Sequence, residues 1–240
     1  MRLALAAGCA VAVATNCSLA QTTRLATTGV PLQRIERGEL CVTNGTVSVL
    51  PDGRLAVDTP SSRAVVRIAT TQSAEIRFRY LGPSEGSKPL ASGELRRQIG
   101  LKLRAQDTCN LLYAMWHIEP DSRIAVSVKR NPGKRTHEEC GAHGYVNIKP
   151  RTSLAQPKIL PGESHTLHAD LKGDDLTLVA DDRVVWEGTV GDAIAGIEGP
   201  VGFRTDNTRF EFEYYAGTDR GTPLSAPGKR ITRCVQSAGD

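Results

Sequence analysis

The chain has 240 residues, 40% of them hydrophobic and 23% charged, with a formal charge of +4. That apolar content excludes a disordered chain, and 30 basic against 26 acidic residues is too even for a dedicated nucleic-acid binder. Gly 23 and Pro 13 beside 5% aromatic residues predict many turns around a core of Val, Ile, Leu and Ala, which argues against a helical bundle or coiled coil.

Met1-Arg2 is a short positive start, residues 3–14 are apolar, and Ser18-Leu19-Ala20 supplies small residues at a cleavage point. This predicts a secretory signal over residues 1–20, with Gln21 opening the mature chain. The apolar run falls short of the roughly 20 residues that span a bilayer, so a membrane anchor is the weaker reading. A lipoprotein cut at Cys9 would leave almost no apolar segment before it. No later stretch is long enough to cross a membrane. The expectation is a secreted or periplasmic protein with a lead-in over 21–40, one β domain over 41–217 and a tail over 218–240.

Loss of the leader removes Cys9 and Cys17 and leaves Cys41, Cys109, Cys140 and Cys234. Four cysteines in an exported chain predict two disulfides with three possible connectivities. The favoured set joins Cys109 to Cys140, tying neighbouring strands to the loop that follows, and Cys41 to Cys234, tying the tail back. A zinc site using His137, Cys140 and His143 is the rival, but the spacing does not match His-Glu-x-x-His. The expectation is therefore no metal there.

Strands follow almost throughout. Residues 47–50 and 54–57 flank Pro51-Asp52-Gly53 as a hairpin. Residues 64–68 and 74–80 come next, the second with Ile76, Phe78 and Tyr80 on one face and Glu75, Arg77 and Arg79 on the other. Over 95–103, Ile99, Leu101 and Leu103 alternate with Gln98, Gly100 and Lys102. Residues 110–119 are apolar on both faces and predict a central strand, with 124–128 as its neighbour. A polar loop runs over 131–144, an extended segment over 145–148, and a looser stretch to Gly162. Residues 165–171, 176–180 and 183–188 predict three more strands, and 191–197 at most one helical turn. Gly199-Pro200-Val201-Gly202-Phe203-Arg204-Thr205-Asp206-Asn207 then leads into an alternating aromatic strand over 208–215.

The stretch from Ser164 to Gly217, with its hairpin, its Trp-bearing strand, the Gly-Pro-Val-Gly-Phe-Arg-Thr-Asp-Asn run and the closing aromatic strand, resembles the end of concanavalin A-like jelly rolls. Laminin G-like lectins, glucanases and jelly-roll polysaccharide lyases share that architecture. The resemblance implies an all-β, antiparallel two-sheet sandwich whose more curved sheet offers a groove. The same sandwich hosts binders and enzymes, so fold does not settle function.

Glucanases of this type use a Glu-x-Asp-x-x-Glu strand. Here only Glu211-Phe212-Glu213 is similar, on the last strand and without a third acid, and a solvated strand face explains it better. A uronate lyase needs a carboxylate clamp and proton-transfer groups. Arg96, Gln98, Lys102 and Arg104 share one strand face, Arg77 and Arg79 lie on the strand before, and His117 and Tyr113 share a face of the central strand. Glu94-Leu95-Arg96-Arg97-Gln98 and Met115-Trp116-His117-Ile118 echo two alginate-lyase strands. The third, a late Tyr-x-Lys strand, is missing, and His143 or Tyr145 would have to stand in. Trp116 reads as core; Trp186, near a charged turn, is the better candidate for stacking on a sugar, although packing explains it too. Asp206-Asn207 reads as a turn, or as part of a calcium or sugar site, so calcium is the one cofactor left open. Asn44-Gly45-Thr46 fits a glycosylation acceptor in a eukaryotic host.

With no complete catalytic set, the leading expectation is a monomeric carbohydrate-binding sandwich for an extracellular acidic polysaccharide, with no nucleic-acid partner. The alternatives are a polysaccharide lyase using His117, Tyr113 or Tyr145 for proton transfer and Arg96, Gln98 or Arg79 as the clamp, and an adhesive protein-binding domain of laminin G-like type.

Overall fold

Side chains two apart on a strand share a face, so the alternation along this chain produces sheets with one apolar side each. The computed structural model describes residues 31–90 and 92–218; the leader, Cys234 with its expected bond to Cys41, and nearly all of the tail lie outside the described residues. In chain order the strands are β1 (Leu32–Arg34), β2 (Leu40–Asn44), β3 (Ser48–Val49), β4 (Leu55–Val57), β5 (Ser61–Val66), β6 (Thr70–Pro83), β7 (Arg97–Leu103) and β8 (Leu111–Glu119). They continue with β9 (Arg123–Lys129), β10 (Tyr145–Asn147), β11 (Thr152–Ser153), β12 (Ser164–Lys172), β13 (Asp175–Ala180), β14 (Arg183–Thr189), β15 (Gly202–Asp206) and β16 (Thr208–Thr218).

Two antiparallel sheets result. A nine-stranded sheet runs β11-β14-β13-β12-β6-β16-β4-β3, with β1 also on β16, and a seven-stranded sheet runs β10-β9-β8-β7-β15-β5-β2. The sandwich thus already includes Leu32, inside the expected lead-in, because Leu32 to Arg34 pair with Gly217 to Tyr215.

The apolar faces meet between the sheets. Ile76, Phe78, Tyr80, Phe210, Phe212 and Tyr214 from the larger sheet face Ile99, Leu101, Trp116 and Phe203 from the smaller. Phe78 meets Trp116 edge-on at 5.9 Å and Phe203 meets Phe212 at 5.0 Å, the arrangement that ring quadrupoles favour. Trp116 is fully buried and its indole N–H donates to Ser122 Oγ at 3.2 Å. The Tyr214 hydroxyl donates to the Gly202 carbonyl at 3.0 Å and so ties one sheet to the other.

Two local departures from the expected elements have physical causes. Strand β7 starts at Arg97 rather than Leu95, because a turn closed by Gly93 N–H to Leu90 O and Leu90 N–H to Glu94 O occupies the approach. The polar loop over 131–144 contains one helical turn, His137–Cys140, capped reciprocally by Thr136 and Glu139. Cys140 ends that turn in a disulfide with Cys109. Its sulfur therefore offers no thiolate to a metal beside His137 and His143.

Candidate functional site

The outward face of the seven-stranded sheet is built row by row from strand register. Ile99, Leu101 and Leu103 enter the core, so Gln98, Gly100 and Lys102 point the other way. Across the strands the first row reads Ser61, Asp206, Gln98, His117 and Arg123. The second reads Arg63, Arg204, Gly100, Met115 and Ala125. The third reads Gly202, Lys102, Tyr113, Ser127 and Asn147, and Lys129 with Tyr145 closes the fourth. Walls from Lys88, Pro89, Leu90 and Ser92 and from His137, Gly141 and Ala142 turn this face into a groove of ≈ 770 Å³, within the usual range for a ligand site.

Charge in the groove is lopsided. Arg63, Lys102, Lys129 and Arg204 are buried cations, and Asp206 is the buried carboxylate among them. Asp206 Oδ2 accepts from Arg204 Nε at 2.7 Å and from Gln98 Nε2 at 2.6 Å, and Arg63 Nη2 stands 3.8 Å from Oδ1. Burial alone would raise the Asp206 pKa, but Arg204, Arg63 and Gln98 hold it below the ordinary carboxylate value. Burial, with Arg63 and Arg204 nearby, pushes Lys102 well below the usual ammonium range, and burial with Arg204 and Arg63 pushes Lys129 down to about 8. Lys129 Nζ donates to Gly141 O at 2.7 Å.

An aromatic ladder crosses the same floor. Arg204 lies 5.2 Å from the Tyr113 ring centre, Tyr113 and Tyr145 stack at 6.2 Å and 22°, and Lys129 Nζ lies 5.3 Å from Tyr145. At the other end Arg96 Nη1 is 3.5 Å from His117 Nε2. Burial, then Arg96 and Arg123, lower the His117 pKa to about 3, so the imidazole is neutral at physiological pH.

No family model matches the chain, and neither does any curated protein sequence. Among solved structures, the carbohydrate-binding module CBM66 from Bacillus subtilis is similar over 72% of this chain and 91% of its own, with 15% identity and a TM-score of 0.50. The fold is a concanavalin A-like β-sandwich. The carbohydrate recognition domain of Emp46p is also similar, at 15% identity and a TM-score of 0.44, over 75% of this chain and 88% of its own. At such identities the likeness concerns fold alone.

Within this concanavalin A-like sandwich, Arg96, Gln98, Lys102, Tyr113, His117 and Tyr145 do come together in one groove. Tyr113 and His117 are nonetheless four strand positions apart, about 13 Å, with Met115 between them. Arg77 and Arg79 are not part of the groove, which corrects the expectation of one basic surface. They lie on the outer face of the nine-stranded sheet, where Arg77 pairs with Glu75 at 2.6 Å and covers Tyr215, and Arg79 donates to Gly162 O at 3.3 Å. Arg104 is also displaced: the backbone turns there at φ 45°, past the end of β7, and its side chain reaches Gly173 O at 3.3 Å. Trp186 is only 2% exposed and meets the groove from the core side, so it offers no open ring to a sugar.

The acid-rich candidates are likewise engaged elsewhere. Glu211 and Glu213 sit on the opposite sheet and pair with Arg54 at 2.9 Å and Arg34 at 3.0 Å. Asn207, at φ 55° in the tight turn between β15 and β16, accepts from Lys88 N–H and donates to Lys88 O and Arg96 O, pinning the groove wall. With Asp206 given to Arg204 and Gln98, this pair does not fit the oxygen cage that calcium requires. Asn44 in β2 donates its amide to Ser61 Oγ at 3.2 Å beside the groove. Sequence reasoning missed Arg63, Lys129, Arg204 and the pairing role of Asp206, although Arg204 and Asp206 stand two apart on one strand face.

Proposed function

We infer that the protein binds an extracellular acidic polysaccharide in the groove of its seven-stranded sheet. One observation carries this reading: four buried cations and a single carboxylate face the same cleft. Such a cleft holds an excess of poorly hydrated positive charge that an anionic chain would neutralise. The stacked Tyr113 and Tyr145 add ring surface of the kind sugars pack against. CBM66, which has a similar fold, is a carbohydrate-binding module, and this supports a carbohydrate ligand. The Cys109–Cys140 disulfide and the leader-like start suit an oxidising, exported setting, and among the described residues no helix is long and apolar enough to cross a membrane.

The test is affinity electrophoresis in gels containing alginate, polyglucuronate or pectate, against gels containing neutral dextran. Retardation by the acidic polymers, weakening with added salt, is expected, and Lys129→Gln should reduce the affinity roughly threefold to tenfold. Because Lys129 loses its charge above about pH 8, retention should also weaken as pH rises through that value. Equal migration in acidic and neutral gels would refute the proposal.

Eliminative cleavage of a uronate chain is a second reading, supported by the neutral imidazole of His117 beside Arg96. His117 is unprotonated and Arg96 can clamp a carboxylate, but a pKa near 3 makes the imidazole a weak base, so this reading needs substrate binding to raise it. Tyr113 stands about 13 Å away along the strand, so the acid would have to come from water or from the sugar itself. Growth of ultraviolet absorbance from an unsaturated product, abolished in His117→Ala, would establish this activity. No absorbance change across the three uronate polymers would exclude it.

A further inference from the structure

Of the four buried groove cations, Lys102 alone makes no hydrogen bond or ion pair among the described residues, although it is only 4% exposed. Its row explains the space around it. On one side its partner is Gly202, which has no side chain, and on the other is Tyr113, with the small Ser127 beyond. The groups facing it are Arg63 from β5, Arg204 and Asp206 from β15, Tyr113 from β8, Lys129 from β9 and Tyr145 from β10. His137, on the helical turn, completes that end of the groove. Asp206 is already occupied by Arg204 and Gln98, so it does not serve as the counter-ion of Lys102. A buried ammonium left in this state is a cost to the fold that an incoming anion would relieve.

Resting on the reading of the groove as a site for an acidic glycan, we propose that Lys102 forms the floor of a subsite for one compact oxyanion, a sugar carboxylate or sulfate, seated between Arg63, Arg204 and Lys129. The sign of the proton linkage follows from the surroundings. Burial and neighbouring cations disfavour the ammonium in the empty groove, and a bound anion favours it. Anion binding therefore takes up a proton at Lys102. Affinity is full below the pKa of Lys102 in the empty groove and falls as pH rises from there to its value in the complex. The Tyr113 hydroxyl, raised by burial, stays protonated over this range.

The experiment uses the full chain with sodium sulfate and free glucuronate as separate probes, so that the two sources of the oxyanion are distinguished. Titration calorimetry in two buffers of different ionisation heat reads the proton uptake, and thermal melts read stability. Wild type should take up a proton with at least one probe and melt higher in its presence. Lys102→Met should melt no lower than wild type without anion, and should lose about thirtyfold or more in anion affinity. Lys102→Arg should keep binding without proton uptake, which controls for damage to the fold. Unchanged affinity in Lys102→Met, or wild-type binding without proton uptake at every pH of a series from mildly acid to alkaline, would overturn the subsite. If Lys102→Met removes sulfate or glucuronate binding while wild type ignores acidic polymers, the subsite stands and the polysaccharide reading falls. If polymers are retained equally by wild type and Lys102→Met, that reading stands and the subsite falls.

Discussion

Asp206 shows how far one residue sets the state of the groove. It is fully buried, yet two guanidiniums and an amide keep it ionised. Removing its charge in Asp206→Asn would leave Arg204 and Arg63 buried with no carboxylate beside them, a change expected to cost about 3–5 kcal/mol at neutral pH. Because the folded pKa lies below the ordinary 3.8, this contribution is present above that value and is lost as pH falls through the folded-state pKa. Urea unfolding should show a wide gap between wild type and Asp206→Asn at neutral pH and a narrower one as acid is added. A gap that stayed constant into acid would contradict this account. Arg204 and Asp206 are a strand-face pair on β15, but the Gly199-Pro200 start and the Asp206-Asn207 turn leave only five residues between them, too short a run for alternation to stand out in the sequence.

At the scale of elements, the strands and their inward faces were legible because period-two alternation follows directly from backbone geometry. Ile99, Leu101 and Leu103 enter the core and Lys102 faces out, as their spacing demands. Allocation of strands to sheets was not legible. Strands β6 and β7 are successive in sequence, yet the 84–96 connection carries the chain from one sheet to the other. Arg79 and Arg96 therefore end on opposite outer surfaces, and no local pattern records that crossing. The glycine in β7 is a further constraint: a Cβ on Gly100 would meet the Ala114 carbonyl and come within 2.7 Å of Met115 Cα, both backbone atoms of β8. Gly100→Ala should force β7 from β8 and destabilise the protein by roughly 1–3 kcal/mol, read as a lower melting temperature. An unchanged melting temperature would mean that the two strands separate more easily than their packing implies.

For the whole molecule, the disulfide links groove to scaffold. Cys109 and Cys140 are 31 residues apart in sequence, and closing a loop of that length is worth roughly 3–4 kcal/mol through the unfolded chain. The bond also holds the turn whose Gly141 carbonyl receives Lys129. The double variant Cys109→Ser with Cys140→Ser should unfold at lower urea concentration and bind acidic polymers more weakly than wild type. Loss of stability with unchanged binding would show that the groove wall holds without the bond. A different consequence lies in the hairpin β15–β16. Strand β15 fills the gap between β7 and β5, and β16 fills the gap between β6 and β4, so the last described strands occupy inner places in both sheets. A chain emerging from its amino end must keep both gaps open until this hairpin arrives. It completes both layers late, and strand edges stay open to self-association until it has been made.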